Sequence, residues 1–151
     1  GGQLQRGANG FAGEIGHMVV KHDGELCVCG RRGCWERYAS GSALRMLSGG
    51  MSGEEVFAAA STGDAHAQSV VATFADWVAV GLASLTNICD PEVIVIGGGV
   101  VQSFEFVLDS VSQSFAAALY SSESRPHPSL HVAALGERAG AIGCALFMTQ
   151  G

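Results

Sequence analysis

The sequence predicts an α/β domain that is rich in helix and poor in strand. Three observations predict it. Strand and helix patterns alternate over the second half, Val93-Ile94-Val95-Ile96 forms a continuous β-branched run, and a long apolar helix precedes that run. With 151 residues, 48% of them hydrophobic and 15% charged, the chain is long and apolar enough for one domain with a real core.

From residue 1 to 16 glycine alternates with small and polar residues, which sustains neither a long helix nor a long strand. Met18 to Val20 reads as a short strand, and turn residues and cysteines dominate from Asp23 to Cys34. Tyr38 to Leu47 reads as a helix closed by Gly49-Gly50. Ser52 with Glu55 makes a capping-box pattern for a second helix to about Ser61. Asp64 caps a third, to about Cys89, with so little polar stripe that burial on several sides is expected.

The run 93–96 then reads as a parallel strand covered on both faces, ended by Gly97-Gly98-Gly99. Phe104 to Tyr120 is helical by pattern, Leu130 to Ala134 is a short strand, and Glu137 to Met148 is the last helix. Two strands are few for an independent sheet, so something that should complete it is expected to be absent and a sheet edge exposed, which favours self-association, as a homo-oligomer, or instability.

The net charge of −6 comes without a Lys/Arg cluster, which disfavours nucleic-acid binding through this segment. There is no run of eighteen apolar residues and no basic-then-apolar leader pattern at Gly1-Gly2-Gln3, so no membrane or export role is expected. Three of the five cysteines fall within eight positions, and an odd total suits a reducing cytoplasm better than a disulfide framework.

Those three form the sharpest motif: His17, Cys27, Cys29 and Cys34 in a H-x9-C-x-C-G-x2-G-C array. Three thiolates and an imidazole suit tetrahedral zinc, and four protein ligands close the site, which makes the metal structural. Gly24, Gly30 and Gly33 let the backbone wrap the ion. Free or oxidised thiols are the alternative. Glu14 and Glu36 flank the array, in outline a site for a polyol. Spacing alone is equally consistent with both carboxylates being solvated or merely supporting the loop. The glycine triplet, alone, is a tight strand-to-helix turn, and no Gly-Lys-Ser/Thr follows to make a Walker loop.

Gly13-Glu14-Ile15-Gly16-His17, the cysteine array and Gly33-Cys34-Trp35-Glu36-Arg37-Tyr38-Ala39-Ser40-Gly41 together resemble the ROK family of sugar kinases and sugar-responsive repressors. Blocks at 6–10, 91–99 and 134–143 are similar too, so the resemblance covers essentially the whole chain. It implies the C-terminal lobe of the actin-like ATPase/hexokinase (ribonuclease H-like) fold, with a sugar and zinc segment over 1–41 and helices with a nucleotide-side sheet over 42–151. It designates Glu14, His17 and Glu36 as ligands of sugar hydroxyls, His17 doubling as a zinc ligand, and it brings Gly97, Gly98 and Gly99 near the adenosine of ATP.

The stretch from Cys34 to Gly41 is most similar to the branch that phosphorylates glucose at its 6-hydroxyl with ATP and Mg²⁺ in cytoplasmic carbohydrate metabolism. A repressor's effector half, or a kinase for fructose, N-acetylglucosamine or N-acetylmannosamine, fits the same motifs. The family's Asp-x-Gly-x-Thr loop, its Asn-Asp pair and its second, Thr/Gly-rich phosphate loop have no counterpart here. Asp23, Asp64, Asp76, Asp90 and Asp109 stand in none of those contexts. No catalytic base is nominated, and this chain alone is expected to be inactive.

Overall fold

A computed structural model describes residues 3–98 and 105–148. Helices α1 (Gly41–Leu47), α2 (Gly53–Ser61) and α3 (Ala65–Cys89) come first, followed by strand β1 (Val93–Ile96), helix α4 (Glu105–Ala118), strand β2 (Ser129–Val132) and helix α5 (Ala139–Met148). Each of the first three helices starts on a side-chain cap. Ser40 Oγ accepts from Ala43 N–H at 3.3 Å and Asp64 Oδ1 from Ala67 N–H at 2.8 Å. At α2 the box is complete: Ser52 Oγ accepts from Glu55 N–H at 3.2 Å while Glu55 Oε2 accepts from Ser52 N–H at 2.7 Å.

Helix α3 is the centre of the molecule. Its side chains Val70, Phe74, Val78 and Leu82 are buried with Leu44 of α1, Val56 and Phe57 of α2, and Val107, Val111 and Phe115 of α4. By length and composition α3 is apolar enough to cross a bilayer, but α1, α2 and α4 pack around it as they would around the core helix of a globular domain.

The two strands pair in parallel, Val93 opposite Ser129 and Ile96 opposite Val132, joined across α4. Ile94, Ile96, Leu130 and Val132 face the helical core. On the other face Val93 and Val95 are 47% and 61% exposed. The strand expected to be covered on both faces is therefore covered on one, because the helices α3 and α4 both lie on the same side of the sheet among the described residues.

Other boundaries moved. Met18–Val20 makes only a single bridge, Val19 to Cys34, because its partner turns at once into the cysteine loop. The helix expected from Tyr38 starts at Gly41, since Trp35–Arg37 forms a separate 3₁₀ turn and Ser40 supplies the cap. The strand expected to reach Ala134 ends at Val132, where its partner β1 ends. The last helix begins at Ala139 after a 3₁₀ turn over Gly136–Arg138. Phe104 and Gly99 lie outside the described residues. Helix α5 is almost wholly apolar yet has no buried residue, and Leu146, Phe147 and Met148 stand exposed, with the Arg6 guanidinium 5.1 Å from the Phe147 ring centroid.

Candidate metal and sugar site

Two single-turn 3₁₀ helices carry the polar residues, Ile15–His17 after Glu14 and Trp35–Arg37 after Cys34. A strap ties them together: Trp35 N–H donates to Met18 C=O at 2.8 Å and Val20 N–H to Gly33 C=O at 2.9 Å. Between them the chain reverses in a tight hairpin, bridged at Leu26 and Arg32 and closed by Cys27 N–H donating to Arg31 C=O at 2.8 Å. Gly33 is indispensable here, because it has φ +79° and any Cβ would overlap the Lys21 carbonyl.

The ligand atoms of His17, Cys27, Cys29 and Cys34 all fall within 4.8 Å of one another. Cys29 Sγ is 3.6 Å from Cys34 Sγ, and His17 Nδ1 is 3.7 Å from Cys27 Sγ. A tetrahedral ion with bonds of about 2.3 Å to sulfur and about 2.0 Å to nitrogen spaces its donors about 3.5–3.8 Å apart, so these distances are the edges of such a tetrahedron. Cys27 and Cys34 are buried, Cys29 is exposed, and none of the three forms a disulfide. Burial, and then the neighbouring Cys29 and Cys27 sulfurs, push the Cys34 thiol up to about 12. The Arg31 backbone N–H pulls Cys29 the other way. The buried Cys34 thiol by itself resists ionisation, and a dication beside it would reverse that resistance. The residues present therefore fit zinc.

The carboxylates lie beside this cluster. Glu36 Oε1 is 3.7 Å from Cys27 Sγ, and Glu14 Oε2 is 3.9 Å from His17 Nε2. The 3₁₀ turn at 15–17 sits against Glu36, where a Cβ on Gly16 would be 3.3 Å from Glu36 Oε2. Glu14, His17 and Glu36 thus gather around one loop, with Glu14 exposed and His17 and Glu36 half-buried. Between this loop and the carboxyl end of β1 runs a mainly apolar groove of about 460 Å³, with Ile15, Trp35 and Ser40 on one wall and Ile96, Gly97 and Gly98 on the other. Gly97 and Gly98 follow β1 directly, and Gly99 is outside the described residues.

Four of the five aspartates have other partners. Asp64 caps α3, Asp76 accepts from Ser114 Oγ at 2.7 Å, Asp90 is paired with Arg125, and Asp23 lies 2.9 Å from His22. Sequence reasoning overlooked the way the loop is held to the core. Trp35 Nε1–H donates to Trp77 C=O of α3 at 2.7 Å, and the Tyr38 ring, 4% exposed, packs on Trp77 with centroids 4.6 Å apart. Tyr38 Oη in turn accepts from Glu25 N–H at 2.7 Å. An isolated glycine inside α3, Gly81, was the available signal, since a mid-helix glycine usually has a packing reason.

Comparison with known proteins shows the chain's family. The ROK family profile matches residues 1–151. The glucokinase of Streptomyces coelicolor is 34% identical over 96% of the chain and 53% of its own length, and the xylose repressor of Bacillus subtilis is 31% identical over 93% of the chain and 37% of its own. A crystal structure of a ROK family glucokinase from Streptomyces griseus, in complex with glucose and AMPPNP, superposes with TM-score 0.93 at 37% identity, covering 99% of this chain and 55% of that one. The chain thus spans about half the length of the glucokinases it matches. A profile that matches residues 1–151 makes this chain a member of the ROK family.

Proposed function

We propose that the chain is the sugar-binding, zinc-carrying C-terminal half of a cytoplasmic ATP-dependent glucokinase, which phosphorylates glucose at its 6-hydroxyl with Mg²⁺ as the nucleotide's counterion. One observation carries the reading. Glu14, His17 and Glu36 converge on a four-ligand cluster in a chain that resembles glucokinases over nearly its whole length.

In this reading Glu14 and Glu36 accept hydrogen bonds from adjacent sugar hydroxyls, and His17, its Nδ1 turned to the metal, offers Nε2–H to the same sugar. Zinc, when bound, would neutralise the thiolates of a loop whose hairpin already holds these groups together. Gly97 to Gly99 lie on the nucleotide side, in keeping with ligands sitting beyond the carboxyl ends of strands in open α/β sheets. The segment 1–41 serves metal and sugar, and 42–151 supplies the helical support and the nucleotide-side sheet. The fold is the C-terminal lobe of the actin-like ATPase/hexokinase architecture, completed by strands and phosphate loops from the remainder of the enzyme, which works as a homo-oligomer.

A second reading is the effector half of a sugar-responsive repressor, favoured by the match to the xylose repressor. A coupled assay of the complete protein with ATP, Mg²⁺ and glucose decides between them. Turnover of glucose supports the kinase. Glucose or xylose binding without turnover, together with a basic recognition helix upstream, replaces it with the repressor.

A further inference from the structure

We propose that Gly81 and Trp77 of α3 are positioning residues for Glu36, forming a seat for the Trp35 indole that sets where the sugar-binding carboxylate stands. This rests on the glucokinase reading. In an α-helix the carbonyl of residue 77 also accepts from the N–H of residue 81, so the side chain at 81 lies over that carbonyl. Gly81 has none, and a Cβ there would overlap Cε2, Cζ2 and Cδ2 of Trp35. The bare carbonyl of Trp77 is then open to a second donor, and Trp35 Nε1–H takes it at 2.7 Å.

Glu36 follows Trp35 directly, and two residues further on Tyr38 lays its ring on the side chain of the same Trp77. The carboxylate is therefore held between two aromatic anchors that share one turn of α3. Cys34, on the other side of Trp35, is fully buried, so the seat also fixes where the metal loop meets the core. Gly81 and Trp77 act on the carboxylate through Trp35 and Tyr38, the residues they meet.

Helix propensity makes the test sharp, because Gly→Ala inside a helix is stabilising unless the new methyl has nowhere to go. In the complete kinase, Gly81→Ala is expected to raise KM for glucose about tenfold or more, as small displacements of a binding group do, while KM for ATP stays within about twofold. Trp35→Ala should raise it similarly, and adding Gly81→Ala to Trp35→Ala should change nothing more, since the overlap is gone. An unchanged glucose KM with a raised melting temperature in Gly81→Ala, or additive effects in the double variant, overturns the proposal.

A second readout does not depend on activity. The 151-residue chain has only two tryptophans, Trp35 and Trp77, so its near-ultraviolet circular dichroism reports their environment. Gly81→Ala should alter the indole bands and leave the far-ultraviolet helix signal in place. If the complete protein neither binds nor phosphorylates glucose, the glucokinase reading fails, and the indole bands alone decide the seat: altered bands keep it and unaltered bands remove it.

Discussion

His17 turns its two ring nitrogens to different neighbours, Nδ1 to Cys27 Sγ at 3.7 Å and Nε2 to Glu14 Oε2 at 3.9 Å. An imidazole placed this way can hold a metal on one side and a hydroxyl on the other. His17→Ala in the complete enzyme should therefore lower both zinc content and glucose affinity, whereas Glu36→Gln should weaken glucose binding and leave the metal. Losing one of four ligands opens a site whose binding energy, on the order of 10 kcal/mol in zinc-finger peptides, is coupled to folding. Losing one carboxylate removes a charge-assisted hydrogen bond or two, roughly 1.5–3 kcal/mol each. Metal analysis and glucose titration on both variants make the comparison. Zinc loss in Glu36→Gln, or normal zinc and glucose affinity in His17→Ala, contradicts the dual role.

Catalysis gives a second prediction. The 151-residue chain should show no phosphorylation of glucose with saturating ATP and Mg²⁺, because four of its five aspartates are engaged in a helix cap or in side-chain pairs and its sequence has no counterpart of the family's phosphate loops. Restoring the N-terminal half should bring turnover. Activity well above background from the short chain alone would sink this.

The open face of β1 gives a third. Val93 and Val95 are exposed beside strand edges with no partner among the described residues, a combination that promotes association between copies. Val95→Lys is expected to shift the isolated chain toward monomer in sedimentation velocity and to raise its solubility. An unchanged distribution means that Val95 lies outside the associating surface.

Helix α2 offers a fourth, through its cap. Ser52→Ala should cost about 1 kcal/mol of stability. The Ser52 backbone N–H, and then its hydroxyl, hold the Glu55 carboxyl below its ordinary range. A depressed folded-state value means that the stabilisation is complete above the unfolded value of about 4.3 and is lost as pH falls through the folded one. Thermal unfolding of wild type and Glu55→Ala between pH 7 and about pH 3 should show a gap at neutral pH that closes in acid. A gap that persists at the acid end excludes the carboxylate as its source.

How much of this was legible in the sequence depends on how local the cause is. The starts of α2 and α3 follow from Ser52, Glu55 and Asp64, whose caps act within three residues, and both helices begin where those residues put them. The clustering of His17, Cys27, Cys29 and Cys34 was legible in part because the hairpin that holds Cys27 and Cys29 is itself local. The single bridge at Val19 was not, since a three-residue apolar run does not reveal how briefly its partner stays extended. Nor was the open face of β1, because Val93 and Val95 read the same whether or not a layer covers them. The seat of Trp35 joins residues more than forty positions apart; Gly81 inside α3 marks that something packs there, but not that it is Trp35.

The hairpin at residues 26–32 closes on its own backbone hydrogen bonds, so the shape of the cysteine loop is largely set by the chain itself. A mould set in advance discriminates among ions. Soft donors spaced like the edges of a tetrahedron suit zinc or cobalt, while a hard cation that demands six oxygens in an octahedron, as magnesium does, finds neither the donors nor the angles. In the glucokinase proposed above, the nucleotide's magnesium would then have no claim on this loop, and two metals could serve one protein without exchanging places.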